Sequence, residues 1–198
     1  MIAVFIDRDG TLIKEKEYFR NTKDIFLLPQ VAKAIRLLNT NKILAIITTN
    51  QSGIARGYFS EKTLQKIHQR LNNLVVQKKA FVDGIYYCPH HPQGVVKKYR
   101  KRCYCRKPNP GLAFKANKDL GEIDFRKSYV IGDKDTDIRF AKRIKAKSIL
   151  VLTGYGKKKK GKVKSDYVTK NLYSAVKWII KNIKLDCRKE QIKNGRKN

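Results

Sequence analysis

Short apolar runs alternate with amphipathic stretches through most of this chain. The runs at 2–6, 43–48, 84–87, 128–132 and 149–152 are rich in Ile, Val and Tyr and bounded by polar residues, the form taken by strands buried in a parallel sheet. Between them, apolar positions recur at helical spacing. Val31, Ala34, Ile35 and Leu38 make a stripe over 30–40, and Leu64, Ile67, Leu71, Leu74 and Val75 another over 61–78, which Ser60 is placed to cap. A third helix is predicted after Pro110-Gly111 and a fourth through Ile138, Ala141 and Ile144. Tyr167-Val168 predicts a short edge strand, and Val176, Trp178, Ile179 and Ile180 a last helix over 171–183. This alternation predicts an α/β fold, a doubly wound, mostly parallel sheet with right-handed crossovers. Such sheets carry their active sites at the carboxyl ends of the strands.

Length and composition narrow the picture. With 198 residues, the chain has room for one full-sized domain, expected over 1–183, followed by a flexible basic tail over 184–198 with little to bury. Lys157 to Lys164 reads as a solvated loop. No stretch approaches the roughly 20 apolar residues of a membrane span. The N-terminus enters a strand directly, so no export signal is expected and cytoplasm is the default. The formal charge of +30 raises the question of a polyanionic partner. The lysines are spread along the whole chain, however, and Ile and Asn are abundant with them, as in a drift toward A/T-rich codons. Nucleic acid is therefore not the expected partner, although the positive field favours an anionic substrate.

Four strand ends carry the chemistry. The first delivers Asp7-Arg8-Asp9-Gly10-Thr11, paired carboxylates that can hold a divalent cation and leave one oxygen free to attack phosphorus. The second run ends in Thr48-Thr49-Asn50-Gln51-Ser52-Gly53, and Arg106-Lys107-Pro108 stands before the third helix. The fourth end is Gly132-Asp133-Lys134-Asp135-Thr136-Asp137. Each signal alone has an ordinary reading as a turn, a helix cap or a solvated loop. Their order, each at a predicted strand end, argues against coincidence.

A second constellation is independent of the first. Cys88-Pro89-His90-His91-Pro92 and Cys103-Tyr104-Cys105 supply three thiolates and an imidazole, matching a closed tetrahedral Zn²⁺ site made of Cys88, His90, Cys103 and Cys105. His91 is the alternative imidazole. With no open position such a zinc is structural, holding an otherwise irregular basic loop over 88–105 near the active site. Cys187 reads as a bystander, and His68, in a helical pattern, as a surface or packed side chain.

Asp-x-Asp-Gly-Thr, then Thr-Asn, then Lys, then Gly-Asp-x-x-x-Asp resembles the haloacid dehalogenase superfamily over about residues 2 to 152. The resemblance implies a Rossmann-like domain with a minimal cap, Asp7 as nucleophile forming an aspartyl-phosphate, and Asp9 as general acid and then base. It implies Mg²⁺ on Asp7, the Asp9 main-chain carbonyl and Asp133, Thr49 and Lys107 on the transferring phosphoryl group, and Asp137 orienting the metal shell or Lys107. Thr11 is expected to stabilise the turn.

With Gln51-Ser52-Gly53-Ile54-Ala55-Arg56-Gly57, Tyr86-Tyr87-Cys88-Pro89-His90-His91-Pro92 and Cys105-Arg106-Lys107-Pro108 added, the chain looks like the D-glycero-D-manno-heptose-1,7-bisphosphate 7-phosphatase branch. That implies a monomeric cytoplasmic enzyme that removes the 7-phosphate, keeps the 1-phosphate and serves lipopolysaccharide ADP-heptose synthesis. Arg106 would meet the second phosphate or the sugar, with Asn50, Gln51, Ser52, Arg56, Lys134 and the segment from Glu15 to Tyr18 lining the substrate pocket. Lys14-Glu15-Lys16-Glu17-Tyr18 departs from the Asp-x-Gly-Tyr-like stretch of that branch. The rivals are a histidinol-phosphate phosphatase, disfavoured by the long loop between zinc-ligand pairs, a polynucleotide 3′-phosphatase, and a non-catalytic basic polyanion-binding protein.

Overall fold

The computed structural model describes residues 1–16, 18 and 21–195, with side chains up to residue 186. Six strands, β1 (Ala3–Ile6), β2 (Leu44–Asn50), β3 (Gly84–Cys88), β4 (Tyr129–Gly132), β5 (Lys147–Val151) and β6 (Tyr167–Thr169), form one sheet in the order β3-β2-β1-β4-β5-β6, every pair parallel. The helices are α1 (Val31–Thr40), α2 (Glu61–Val76), α3 (Gly111–Leu120), α4 (Asp135–Arg143), α5 (Gly156–Lys159) and α6 (Leu172–Gly195).

Both faces of the sheet are covered, so each strand sends side chains two ways. Val4 and Ile6 of β1 join a core with Val31, Ile35 and Leu38 of α1, Ile67, Leu71 and Val75 of α2, and Val176 and Ile179 of α6. Ala3 and Phe5 enter a second core with Leu112 and Ala116 of α3 and Phe140 and Ala141 of α4. Each fully buried Leu, Ile, Val or Phe contributes about 1.5–3 kcal/mol toward folding. This is why the runs are continuously apolar while the helices carry one stripe each. Ser60 caps α2 as its sequence suggests, accepting from the Thr63 N–H at 3.1 Å.

Two expectations change. Lys157 to Lys164 is not wholly loop, because α5 turns once over Gly156–Lys159. The last helix does not stop at 183: α6 runs to Gly195, since Lys, Arg, Glu and Gln sustain a helix as well as apolar residues do. The side chain of Cys187 and residues 196–198 of the expected tail lie outside the described residues. Among the described residues no separate cap domain is built, and no helix is long and apolar enough to cross a membrane.

Candidate active site

β1 lies at the centre of the sheet, and its carboxyl end is where the functional side chains gather. The Asp7 N–H still bonds to Ile131 O of β4 at 2.9 Å, so Asp7 is tied to the neighbouring strand before the chain turns. Gly10 makes that turn at φ +84°, and a Cβ there would lie 2.2 Å from Asp133 Oδ2. Gly154, at φ +51°, closes on the same oxygen from the other side, where a Cβ would stand 2.1 Å away. Both positions therefore require glycine, for the left-handed backbone and for the space.

Asp7, Asp133 and Asp137, brought from two strand ends and the first turn of α4, lie with their carboxylate oxygens within 4.8 Å of one another, and all three are buried. Lys107 enters this cluster. Its Nζ donates to Asp7 Oδ1 at 2.8 Å, Asp137 Oδ1 at 2.6 Å and Thr48 O at 2.6 Å. Burial works against its charge, but Asp137 and Asp7 outweigh it and hold the ammonium above the ordinary lysine pKa. Burial lifts Asp137 to about 6, with Lys107 opposing, so at neutral pH the pair is ionic. The second oxygen of Asp137 accepts from the Lys134 N–H at 3.1 Å. Asp137 thus contacts Lys107 and also belongs to the three-carboxylate cluster.

Asp133 differs. Burial and the neighbouring Asp7 carboxylate push it up to about 8, and its Oδ1 is buried with no hydrogen-bond partner, while Oδ2 accepts from the Tyr155 N–H at 2.7 Å. An orphaned carboxylate oxygen packed beside a second carboxylate is the donor set a hard divalent cation needs. The residues fit magnesium.

The remaining predicted residues separate into those that face the cleft and those that brace it. A cleft of about 600 Å³ is lined by Asp7, Asp9, Tyr18, Thr49, Asn50, Gln51, Ser52, Arg56, Arg106, Lys107 and Lys134. Asn50 reaches it, yet its amide is spent on Lys107: Nδ2 donates to Lys107 O and Oδ1 accepts the Lys107 N–H, both at 2.9 Å. Gln51 Nε2 donates to Asp9 Oδ2 and Thr49 Oγ1, both at 2.8 Å. Glu15, expected at the substrate, is not among the lining residues; its carboxylate accepts from Lys134 Nζ at 2.7 Å. Burial raises the Glu15 carboxyl, with Lys134 opposing. Glu17 lies outside the described residues. Sequence reading overlooked Arg8, Tyr58 and Tyr155, which also line the cleft. Only Arg8 had a usable signal, a charge set between two aspartates at the end of a buried strand.

The cysteine loop closes the same side of the molecule. Cys103 Sγ stands 3.4 Å from both Cys88 Sγ and Cys105 Sγ, and His90 Nδ1 lies 3.4 Å from Cys105 Sγ and 3.8 Å from Cys88 Sγ. Corners of a tetrahedron built on Zn–S bonds of 2.3 Å are about 3.8 Å apart. The four donors thus already surround a space of the right size. His91 is turned away, its Nδ1 accepting from the Gln93 N–H and its Nε2 3.4 Å from Arg56 Nη2. The loop is braced onto α2 by Glu61, whose two oxygens accept from the hydroxyls of Tyr87 and Tyr99. Arg106 Nη1 donates to His90 O, so the loop also sets the guanidinium next to Lys107.

A central strand ending in paired aspartates, faced by a lysine from a distant loop and an acidic helix start, defines a HAD-like hydrolase. The HAD-hydrolase-like family model matches residues 104–175. The D-glycero-beta-D-manno-heptose-1,7-bisphosphate 7-phosphatase of Haemophilus ducreyi is 40% identical over 179 residues, 89% of this chain and 97% of that protein. The Pasteurella multocida enzyme of the same name is 37% identical over 183 residues, 92% and 98% of the two chains. The chain belongs to the D-glycero-beta-D-manno-heptose-1,7-bisphosphate 7-phosphatase family. Among solved structures, D,D-heptose 1,7-bisphosphate phosphatase from B. bronchiseptica, complexed with magnesium and phosphate, superposes with a TM-score of 0.82 at 27% identity over 92% of this chain and 99% of that one.

Proposed function

We propose that this chain hydrolyses the 7-phosphate of D-glycero-beta-D-manno-heptose 1,7-bisphosphate through an aspartyl-phosphate on Asp7, releasing the 1-phosphate. The observation that carries this reading is the Lys107 ammonium 2.8 Å from Asp7 Oδ1 at the floor of a basic cleft, in a chain of this family.

Asp7 attacks the 7-phosphorus while the bond from phosphorus to the sugar oxygen breaks, and the Asp9 carboxyl gives that oxygen its proton. In the second half Asp9 takes a proton from water as the water oxygen attacks the same phosphorus and frees Asp7. Lys107 neutralises phosphoryl charge in both transition states, and Thr49 adds a hydroxyl. Asp7, Asp133 and the main-chain carbonyl of Asp9 would hold Mg²⁺, which supplies further positive charge to the phosphoryl oxygens when bound. Arg56 and Arg106 line the outer cleft, where planar guanidinium forks suit the 1-phosphate. The Cys88, His90, Cys103 and Cys105 cluster is read as a structural zinc site that keeps Arg106 and Lys107 in place. We further read the protein as a cytoplasmic monomer supplying heptose for lipopolysaccharide.

The test is phosphate release from the heptose bisphosphate, histidinol phosphate and a 3′-phosphorylated oligonucleotide, with and without Mg²⁺, the sugar product followed by ³¹P NMR. The expected result is Mg²⁺-dependent loss of the 7-phosphate signal alone. Faster turnover of histidinol phosphate, or loss of the 1-phosphate first, overturns the assignment.

A further inference from the structure

The residue between the two aspartates is the largest side chain buried to within 2% of its surface, and none of the steps above uses it. Alternation along β1 sends Val4 and Ile6 toward α2, and Arg8 follows them to the same face. There its guanidinium forks back onto its neighbour: Nε donates to Asp9 Oδ1 and Nη2 to Asp9 Oδ2, both at 3.0 Å. The third nitrogen, Nη1, lies 3.2 Å from His68 Nε2. His68 stands on the buried stripe of α2 with Leu64, Ile67, Leu71 and Val75, its ring edge-on to Tyr87 at 5.6 Å.

We propose that Arg8 and His68 form a positioning pair that fixes the Asp9 carboxyl for proton transfer, Arg8 by gripping both oxygens and His68 by backing Arg8. This rests on the phosphatase reading above and adds the means by which Asp9 is aimed. A carboxylate pinned through both oxygens by a planar fork, with Gln51 Nε2 on Oδ2 at 2.8 Å, has one orientation. What the fork supplies is orientation, and proton transfer demands placement within hydrogen-bond reach of the leaving oxygen.

The choice of histidine has a reason. A buried guanidinium needs acceptors on all three of its nitrogens, since a bond left unmade there costs stability. A carboxylate at position 68 would satisfy Nη1 but compete with Asp9 for the positive charge. Burial and Arg8 push His68 down to about 3, so at neutral pH it is a neutral acceptor, with the proton on Nδ1. The pair therefore gives each of the three Arg8 nitrogens an acceptor and leaves its charge to Asp9.

Asp9 acts on the leaving group, which separates this role from a structural one. A sugar oxygen leaves poorly without a proton, whereas p-nitrophenolate leaves without one. The experiment measures single-turnover release of the leaving group, enzyme in excess, from the heptose bisphosphate and from p-nitrophenyl phosphate. It is applied to the parent, Arg8→Lys, His68→Leu and His68→Gln, each checked by thermal melting. Arg8→Lys and His68→Leu are expected to slow the sugar substrate at least roughly tenfold and p-nitrophenyl phosphate by no more than about twofold, with His68→Gln restoring most of the loss because its amide oxygen accepts. Equal slowing of both substrates, or slowing of neither, overturns the proposal. Should Arg8→Lys fail to fold, the His68 pair carries the test alone. If the parent itself spares the heptose bisphosphate, the substrate reading fails, and phenyl phosphate set against p-nitrophenyl phosphate measures the positioning separately.

Discussion

Two clusters able to hold metal ions lie at the same end of the sheet, and they are built in opposite ways. Asp7, Asp133 and Asp137 come from positions far apart in the chain and are brought together by β1, β4 and the start of α4. Cys88, His90, Cys103 and Cys105 come from one short segment that, beyond the end of β3, has almost no regular structure. The first is set by core packing and already holds a counter-charge in Lys107. The second lies on an irregular segment tied to the rest of the chain by a few contacts, among them Tyr99 to Glu61 and Arg106 to His90 O, so an ion bound there would carry more of its order. Removing a metal should therefore leave the aspartates in place and loosen the cysteine loop.

The largest effect is expected inside the aspartate cluster. Asp7→Asn keeps the packing but removes the proposed nucleophile, so phosphate release should fall below detection while the melting transition stays cooperative. Turnover near the parent rate would show that the attacking group lies elsewhere. Next comes the loop: Cys103→Ser should abolish zinc in elemental analysis, expose residues 89–104 to protease and lower kcat/KM by roughly 10- to 100-fold through misplaced Arg106 and Lys107. An unchanged proteolysis pattern would mean that the loop holds its shape without the ion.

A smaller contrast concerns pH. Asp133 keeps its proton to about 8 in the folded chain, against an ordinary value of 3.8. The folded state then binds more protons than the unfolded one between those values, so through this group stability falls as pH rises across that window. A Mg²⁺ ion held by Asp133, as proposed, would have to displace that proton. Added Mg²⁺ should raise the melting temperature more at about pH 8.5 than at about pH 6, whereas an equal shift at both would remove Asp133 from the magnesium site. The smallest change is expected at the rim. Glu15→Gln breaks the pair with Lys134, whose side chain is 34% exposed, and should alter KM by no more than about threefold in steady-state assays.

The same contrast explains what could be read beforehand. Strands and helices were legible because each apolar run or stripe answers to one local requirement, burial on two faces or on one. Three of the four signals were legible because they end β1, β2 and β4, which the sheet sets side by side; the fourth, Lys107, stands at no strand end and reaches the others from the loop before α3. The sequence favours His90 over His91 in the same Pro-flanked segment, and the structure agrees, with His90 Nδ1 among the sulfurs while His91 turns to Gln93 and Arg56; those partners of His91 were not legible. Nor was the use of the Asn50 amide as a brace for Lys107, which joins residues 57 positions apart. The Glu15–Lys134 pair spans 119 positions and was equally hidden. Such side-chain pairings over long separations leave no periodicity behind.

The place of β1 between β2 and β4 also orders the protein's manufacture. β1 is flanked on both edges, and the edge it shares with β4 stays open until Tyr129 and its neighbours are in place. Residues 88–105 precede β4 in the chain, so the cysteine cluster is complete in sequence before the strand that closes the aspartate floor is made.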